Sequence, residues 1–165
     1  MAKIGDPREL FLHKLGAAYT MEQTVVGMLE KNAAEAQDPE VKQKFTHHLD
    51  ETHRQVTNIE RAFEALGQDP KGQGCPAIDG LKKEGEHSVR QVDDSLVDNV
   101  LVGGATEVEH HEIAVYNALI TKAEALGEED VAALLRENLE QEEHTLREVE
   151  QKAQQLARLT PQRLR

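Results

Sequence analysis

Residues 108–116 read VEHHEIAVY and sit inside a long amphipathic run over 94–126. Apolar residues in this run recur at helical spacing, about 100° per residue. Leu101, Ala105, Val108, Val115, Tyr116 and Leu119 fall in one sector of such a helix. Glu112 falls at the centre of that sector and Glu109 on its flank. A carboxylate in the middle of a core stripe is costly unless it is paired, protonated or bound to a cation. Two of them, three residues apart, share a face and repel each other. A single such glutamate is as readily a hydrogen-bonded or surface residue. The test is whether other helices carry the same chemistry.

They do. A first helix is expected over 7–36, with Asp6 as N-cap and Pro7 at its first position. Its apolar face is Phe11, Leu15, Ala18, Tyr19, Val26, Leu29 and Ala33, with Glu22 at the centre. A second is expected over 39–66, opened by Asp38 and stopped by Gly67. Its face is Phe45, Leu49, Thr52, Val56, Ile59 and Phe63; His48 lies inside the edge and Glu51 near the boundary. The run over 94–126 ends at Gly127, and a last helix follows over 129–157. That helix centres Glu142 among Val131, Leu135, Leu139, Leu146, Val149 and Leu156. The stretch 67–92 is a crossover carrying a short helix over 78–89. Residues 158–165 lose the period and read as a frayed tail.

Two of the connections are short, so each flanking pair is an antiparallel hairpin. Roughly 25 residues join the hairpins, enough to run the length of a bundle and return the chain to its starting end. The expected fold is therefore all-α, a ferritin-like four-helix bundle with one long crossover. Glu22 and Glu51 are equidistant from the first turn, and Glu112 and Glu142 from the second. Each lies about 15 residues from its turn, or ~22 Å. With the two turns at opposite ends, all four share one layer. His48 and Glu109 then fall one helical turn away on the same side, and Tyr19 and Tyr116 on the other. Acids meeting at one level in an apolar core cannot all ionise without a cation. Two divalent ions would satisfy them. The tyrosines are more often plain core residues with a satisfied hydroxyl.

The chain has 165 residues, the size of a single domain spanning 1–165. Charged residues make up 30% and aromatics 3%, the profile of a soluble helical bundle. A net charge of −12 argues against nucleic acid and anionic membrane as partners. The lone Cys75 excludes an internal disulfide, and the start MAKIGDPREL does not read as a signal peptide. No apolar run is long enough to span a bilayer. A cytoplasmic location is the expectation.

The segments AAYTMEQ, HLDET, CPAIDGL, VEHHEIAVY and NLEQEEHT together resemble the YciF-like, ferritin-like stress-response family. The resemblance covers nearly the whole chain, and the VEHHEIAVY match is its most specific part. It implies a ferritin-like bundle related to rubrerythrin, a homodimer, a link to bacterial stress, and ligands at Glu22, Glu51, Glu109, Glu112 and Glu142. This chain departs from the ferritin pattern, in which the second and fourth long helices carry Glu-x-x-His. Glu51 is followed by Arg54 and Glu142 by Thr145, and Leu146 stands where relatives tend to have an acid. A carboxylate-rich site of this kind suits Fe or Mn.

The leading expectation is two Fe or Mn ions held by Glu22, His48, Glu51, Glu109, Glu112 and Glu142, acting on O₂ or peroxide. Tyr116 is the catalytic candidate, donating to a ligand or supplying an electron. The alternatives are non-catalytic metal binding or storage, or a helical interaction protein with a vestigial site. His47, His53, His110, His111 and His144 read as surface histidines. Cys75 reads as a small semi-buried residue in a Gly/Pro loop. The tail LTPQRLR faintly resembles peptides that load cargo into encapsulating shells.

Overall fold

The computed structural model describes the backbone of residues 3–163 and the side chains of residues 3–159. Its elements are α1 (Pro7–Glu35), α2 (Pro39–Ala65), α3 (Pro76–Val89), a 3-10 turn (Asp94–Leu96), α4 (Val97–Ala125) and α5 (Glu129–Arg163). Local chemistry sets most of these ends. The Asp6 side chain accepts from the Glu9 N–H and that of Asp38 from the Glu40 N–H, each with proline at the first helical position. Gly67 and Gly127 take φ of +68° and +75°, which an L side chain resists. There the Gln68 N–H bonds the Phe63 carbonyl at 3.0 Å and the Glu128 N–H bonds that of Ala123 at 2.9 Å, closing two Schellman-type caps.

α1 packs on α2 and α4 on α5, and the hairpins join through α2–α5 and α1–α4 contacts. Contacts at both ends of the bundle fix the topology. Asp98, at the start of α4, accepts from the Gln37 and Asp38 N–H groups in the α1–α2 turn, both at 2.9 Å. Lys152, late in α5, reaches Asp38 at 3.2 Å and Glu40 at 2.6 Å. At the other end Arg8, in the first turn of α1, pairs with Glu128 in the α4–α5 turn. The two turns therefore lie at opposite ends, which is the ferritin-like arrangement. The crossover returns the chain along α1. The Gln73 N–H bonds the Gly16 carbonyl at 3.0 Å, and a Cβ on Gly16 would lie 2.5 Å from the Lys71 carbonyl oxygen. Glycine is what lets the two backbones approach there. α3 then lies over α1 and α4.

The core is apolar, with Phe11, Leu15, Met21, Ile59, Ile78, Leu119 and Leu135 fully buried. The helix faces differ in detail from the periodic reading. On α1, Met21 and Val25 are buried and Val26 is half-buried. On α2 and α5, Leu49, Val56, Leu139 and Leu146 are half-buried, whereas Gln55, Asn58, Asn138 and Thr145 are buried. The centre of the α2–α5 seam is polar, and the leucines flank it. α5 also runs on to Arg163, beyond the end expected at Ala157, because no glycine or cap residue precedes Pro161 to stop it. The resemblance to shell-loading peptides falls on residues 159–165, whose side chains beyond Leu159 lie outside the described residues. No helix among the described residues is long and apolar enough to cross a membrane.

Candidate metal centre

Three of the four long helices deliver an acid or a histidine to one point in the core, and the fourth buries an acid beside it. α2 contributes His48, α4 contributes Glu109 and Glu112, and α5 contributes Glu142. Each of these four offers a ligand atom within 4.8 Å of the others. His48 Nε2 is 3.0 Å from Glu109 Oε1 and 3.8 Å from Glu142 Oε2. The juxtaposition of His48 and Glu109, expected from their height in separate hairpins, is present. From α1, Glu22 is fully buried and accepts a hydrogen bond from the Tyr116 hydroxyl of α4. Asn138 Nδ2 of α5 donates to that hydroxyl oxygen at 3.0 Å, so the tyrosine proton is directed to Glu22.

What distinguishes the cluster is the shortage of donors. Glu22 Oε2, Glu109 Oε2, and both carboxylate oxygens of Glu112 and Glu142 are out of solvent with no hydrogen-bond partner. His48 Nε2 is likewise unpartnered, being close to Glu109 without hydrogen-bond alignment. Buried polar atoms are nearly always satisfied, and each exception costs roughly 1–3 kcal/mol, more when charged. Burial pushes the Glu22 carboxyl up to about 7, although the Tyr116 hydrogen bond and the His48 charge pull the other way. Burial, then the neighbouring Glu22 and Glu109, raise Glu112 well above the usual carboxylate range. Burial and Glu112 do the same to Glu142. Burial alone would lower His48, but the Glu109, Glu51 and Glu22 carboxylates outweigh it and hold the imidazolium up to about 10. The donor set is carboxylate oxygens with one imidazole, which fits divalent Fe or Mn.

Glu51 stands apart from this group. It is half-buried on the outer side of His48, with Oε2 3.6 Å from His48 Nδ1 and Oε1 3.6 Å from the exposed His47 Nε2. Its carboxyl is held below the usual glutamate range by His48 first, and also by His47 and Arg54. Thr145 Oγ1 lies 3.4 Å from the same His48 nitrogen. Tyr19 takes no part, because its hydroxyl donates to Glu60 at 2.8 Å and its ring stands edge-on to Phe63.

Four of the histidines read as surface residues are exposed, namely His47, His53, His110 and His144. His111 is not. It is half-buried with Nε2 covered and unpartnered, and burial lowers its pKa. It lines a cavity of about 370 Å³ with Lys14, Cys75 and Lys122, where the start of α3 meets α1 and α4. The crossover covers it, and the periodicity of α4 carries no signal for that. Cys75 is half-buried at the N-cap of α3 and makes no side-chain cap. Asn58, Asn138 and Thr145 were not singled out from the sequence. Asn58 Nδ2 donates to Asn138 Oδ1 at 2.9 Å, and this pair backs Tyr116. Their signal was the helical spacing itself, since Asn138, Glu142 and Thr145 lie one turn apart along α5.

The relatives agree with this architecture. A family model described as "Domain of unknown function (DUF892)" matches residues 6–161. Protein YciF of Escherichia coli K12 is 35% identical over 139 residues, covering 83% of this chain and 84% of that protein. The crystal structure of that protein, described as a stress protein, superposes with a TM-score of 0.89 at 31% identity, covering 94% of this chain and 99% of that one. The YcfI structure from Rhodopseudomonas palustris gives a TM-score of 0.88 at 37% identity, covering 90% of this chain and 95% of its own. With a family match over nearly its whole length and relatives above 30% identity, the chain belongs to the DUF892 family of YciF-like, ferritin-like proteins.

Proposed function

We propose that this protein is a di-metal carboxylate protein that binds two Fe or Mn ions in the bundle core and reacts with O₂ or peroxide. The observation that carries the reading is the set of buried, partnerless oxygens on Glu22, Glu109, Glu112 and Glu142 facing one another beside His48. Two dications would neutralise the acids and take up their lone pairs. Held by Glu22, Glu109, Glu112, Glu142 and His48, such ions would supply redox chemistry toward O₂ or peroxide. The chain's own part is to hold the ligands in place. Tyr116 keeps Glu22 oriented through its hydrogen bond, Asn138 fixes that hydroxyl, and the apolar core keeps bulk water out. The stress description of the Escherichia coli relative is in keeping with consumption of peroxide.

Metal analysis of protein expressed with iron and manganese supplied tests the first half. Two ions per chain are expected, and a metal-free, metal-indifferent protein would refute the assignment. Peroxide or O₂ consumption by the reconstituted protein tests the second half. Full loading with no consumption would leave a storage or binding role.

A further inference from the structure

Two openings approach the centre, and they differ in chemistry. One lies beneath α3 and reaches Glu109, lined by Val25, Leu101, Ala105 and Val108 together with Asn32, Glu35 and Glu86, the two acids paired with Lys31 at 4.0 and 3.2 Å. The other is a narrow cleft between α2 and α5, lined by Lys44, His47, Glu51, Thr145 and Glu148 and floored by His48. Along this cleft the ligand-type side chains form a graded series. The side chain of His47 is 64% exposed, Glu51 12%, His48 6%, Glu109 2% and Glu142 0%. Glu51 is two-faced, with one oxygen toward the surface His47 and the other toward the buried His48, both at 3.6 Å. Behind His48 lie the partnerless oxygens of Glu109 and Glu142.

We propose that this cleft is the port through which a divalent cation reaches the core, with His47 and Glu51 as an outer station that takes the ion from solvent and passes it inward. The inference rests on the metal-binding reading of the centre. A dication sheds its water stepwise and needs a replacement ligand at each step. The series supplies one within a few ångströms at every depth. The net charge of −12 also raises the concentration of cations near the surface, where the Glu51 carboxylate can take one up. The Lys44–Glu148 ion pair, at 3.4 Å, ties α2 to α5 at the same cleft, and Arg54 lies 4.0 Å from the outer oxygen of Glu51.

The test is the rate of Mn²⁺ uptake by the full-length apo-protein, followed in stopped flow with a metal-sensitive dye, alongside equilibrium dialysis for the final stoichiometry. Glu51→Gln is expected to slow uptake roughly tenfold and His47→Gln about two- to threefold, within the range of electrostatic steering. Both should reach the wild-type stoichiometry. His53→Gln, on the exposed side of α2, should behave as wild type. Wild-type uptake should also slow with added salt more steeply than uptake by Glu51→Gln. Rates for Glu51→Gln and His47→Gln within twofold of a wild type that does load would overturn the port and leave the metal-binding function standing. Loss of an ion from Glu51→Gln would make Glu51 a resident ligand and would equally overturn it. A wild type that binds no Mn²⁺ would remove both.

Discussion

The bundle buries charge in two places and treats it in opposite ways. At the α1–α2 end, Asp98 is 6% exposed and Lys152 5%, yet both are answered. Asp98 accepts two backbone N–H groups at 2.9 Å, and Lys152 sits between Asp38 and Glu40. In the core, Glu22, Glu112 and Glu142 are wholly buried, and five of their six carboxylate oxygens have no donor. The first arrangement is complete within the chain and holds two hairpins together. The second is incomplete within the chain. Burial depth alone does not separate structural from functional charge; the tally of partners does.

The comparison breaks most visibly if core acids are removed. Glu112→Ala and Glu142→Ala should each weaken binding of the second ion by roughly 100-fold or more, since each removes a ligand from a shared cluster. A titration that still shows two tight ions would place the ligands elsewhere. At the stitched end the expected effect is on stability and is blind to metal. Asp98→Ala leaves two backbone donors unanswered and should cost about 2 kcal/mol, or some 4–8 °C in melting temperature for a chain of this size. An equal loss is expected with and without Mn²⁺, and a metal-dependent loss would blur the distinction.

pH sharpens it further. Burial raises Glu22 to about 7 from an ordinary 4.5, and raises Glu112 and Glu142 in the same direction. These groups bind protons more tightly folded than unfolded. Their contribution is full below about pH 4.5 and is lost as pH rises through 7 and beyond. His48, raised from 6.5 to about 10, adds the same sign over a higher window. The apo-protein should therefore melt a few degrees lower at pH 8 than at pH 5.5. Metal binding needs the deprotonated ligands, so the gain in melting temperature on adding Mn²⁺ should widen over the same range. A thermal scan series that rises with pH without metal would contradict the buried, donor-poor state. The smallest effect separates two histidines of α2. His48→Ala should lower metal affinity about tenfold, within the range seen for ligands and their hydrogen-bond partners, and His53→Ala not at all.

Much of the centre was legible in the sequence because an acid that interrupts an apolar stripe at whole-turn spacing is visible on a helical wheel. Glu22, Glu112 and Glu142 stand out that way, and distance from the two turns brought His48 to Glu109. The wheel was less informative where the stripe's own centre is polar. Asn58, Asn138 and Thr145 lie beside Leu49, Val56, Leu139 and Leu146, and the leucines and valine drew the face toward themselves. Glu51 was placed in the layer by height, whereas its facing sets it outside His48. Asp98 and Lys152 were invisible because their partners sit in and beside a turn and are set by tertiary structure. His111 escaped for a similar reason, since the crossover rather than its own helix covers it.

The centre draws Glu22 and His48 from the first hairpin, and Glu109, Glu112 and Glu142 from the second. Each hairpin has short-range contacts of its own and can form early, whereas bringing the two together buries Glu22 and His48 against the three acids of the other hairpin and takes all five out of water. On the proposed function, docking of the hairpins is the step that a cation would accelerate, because it would replace the water that these groups lose. For this chain the supply of divalent metal would set how fast newly made molecules reach the native state, as well as how stable they are once there.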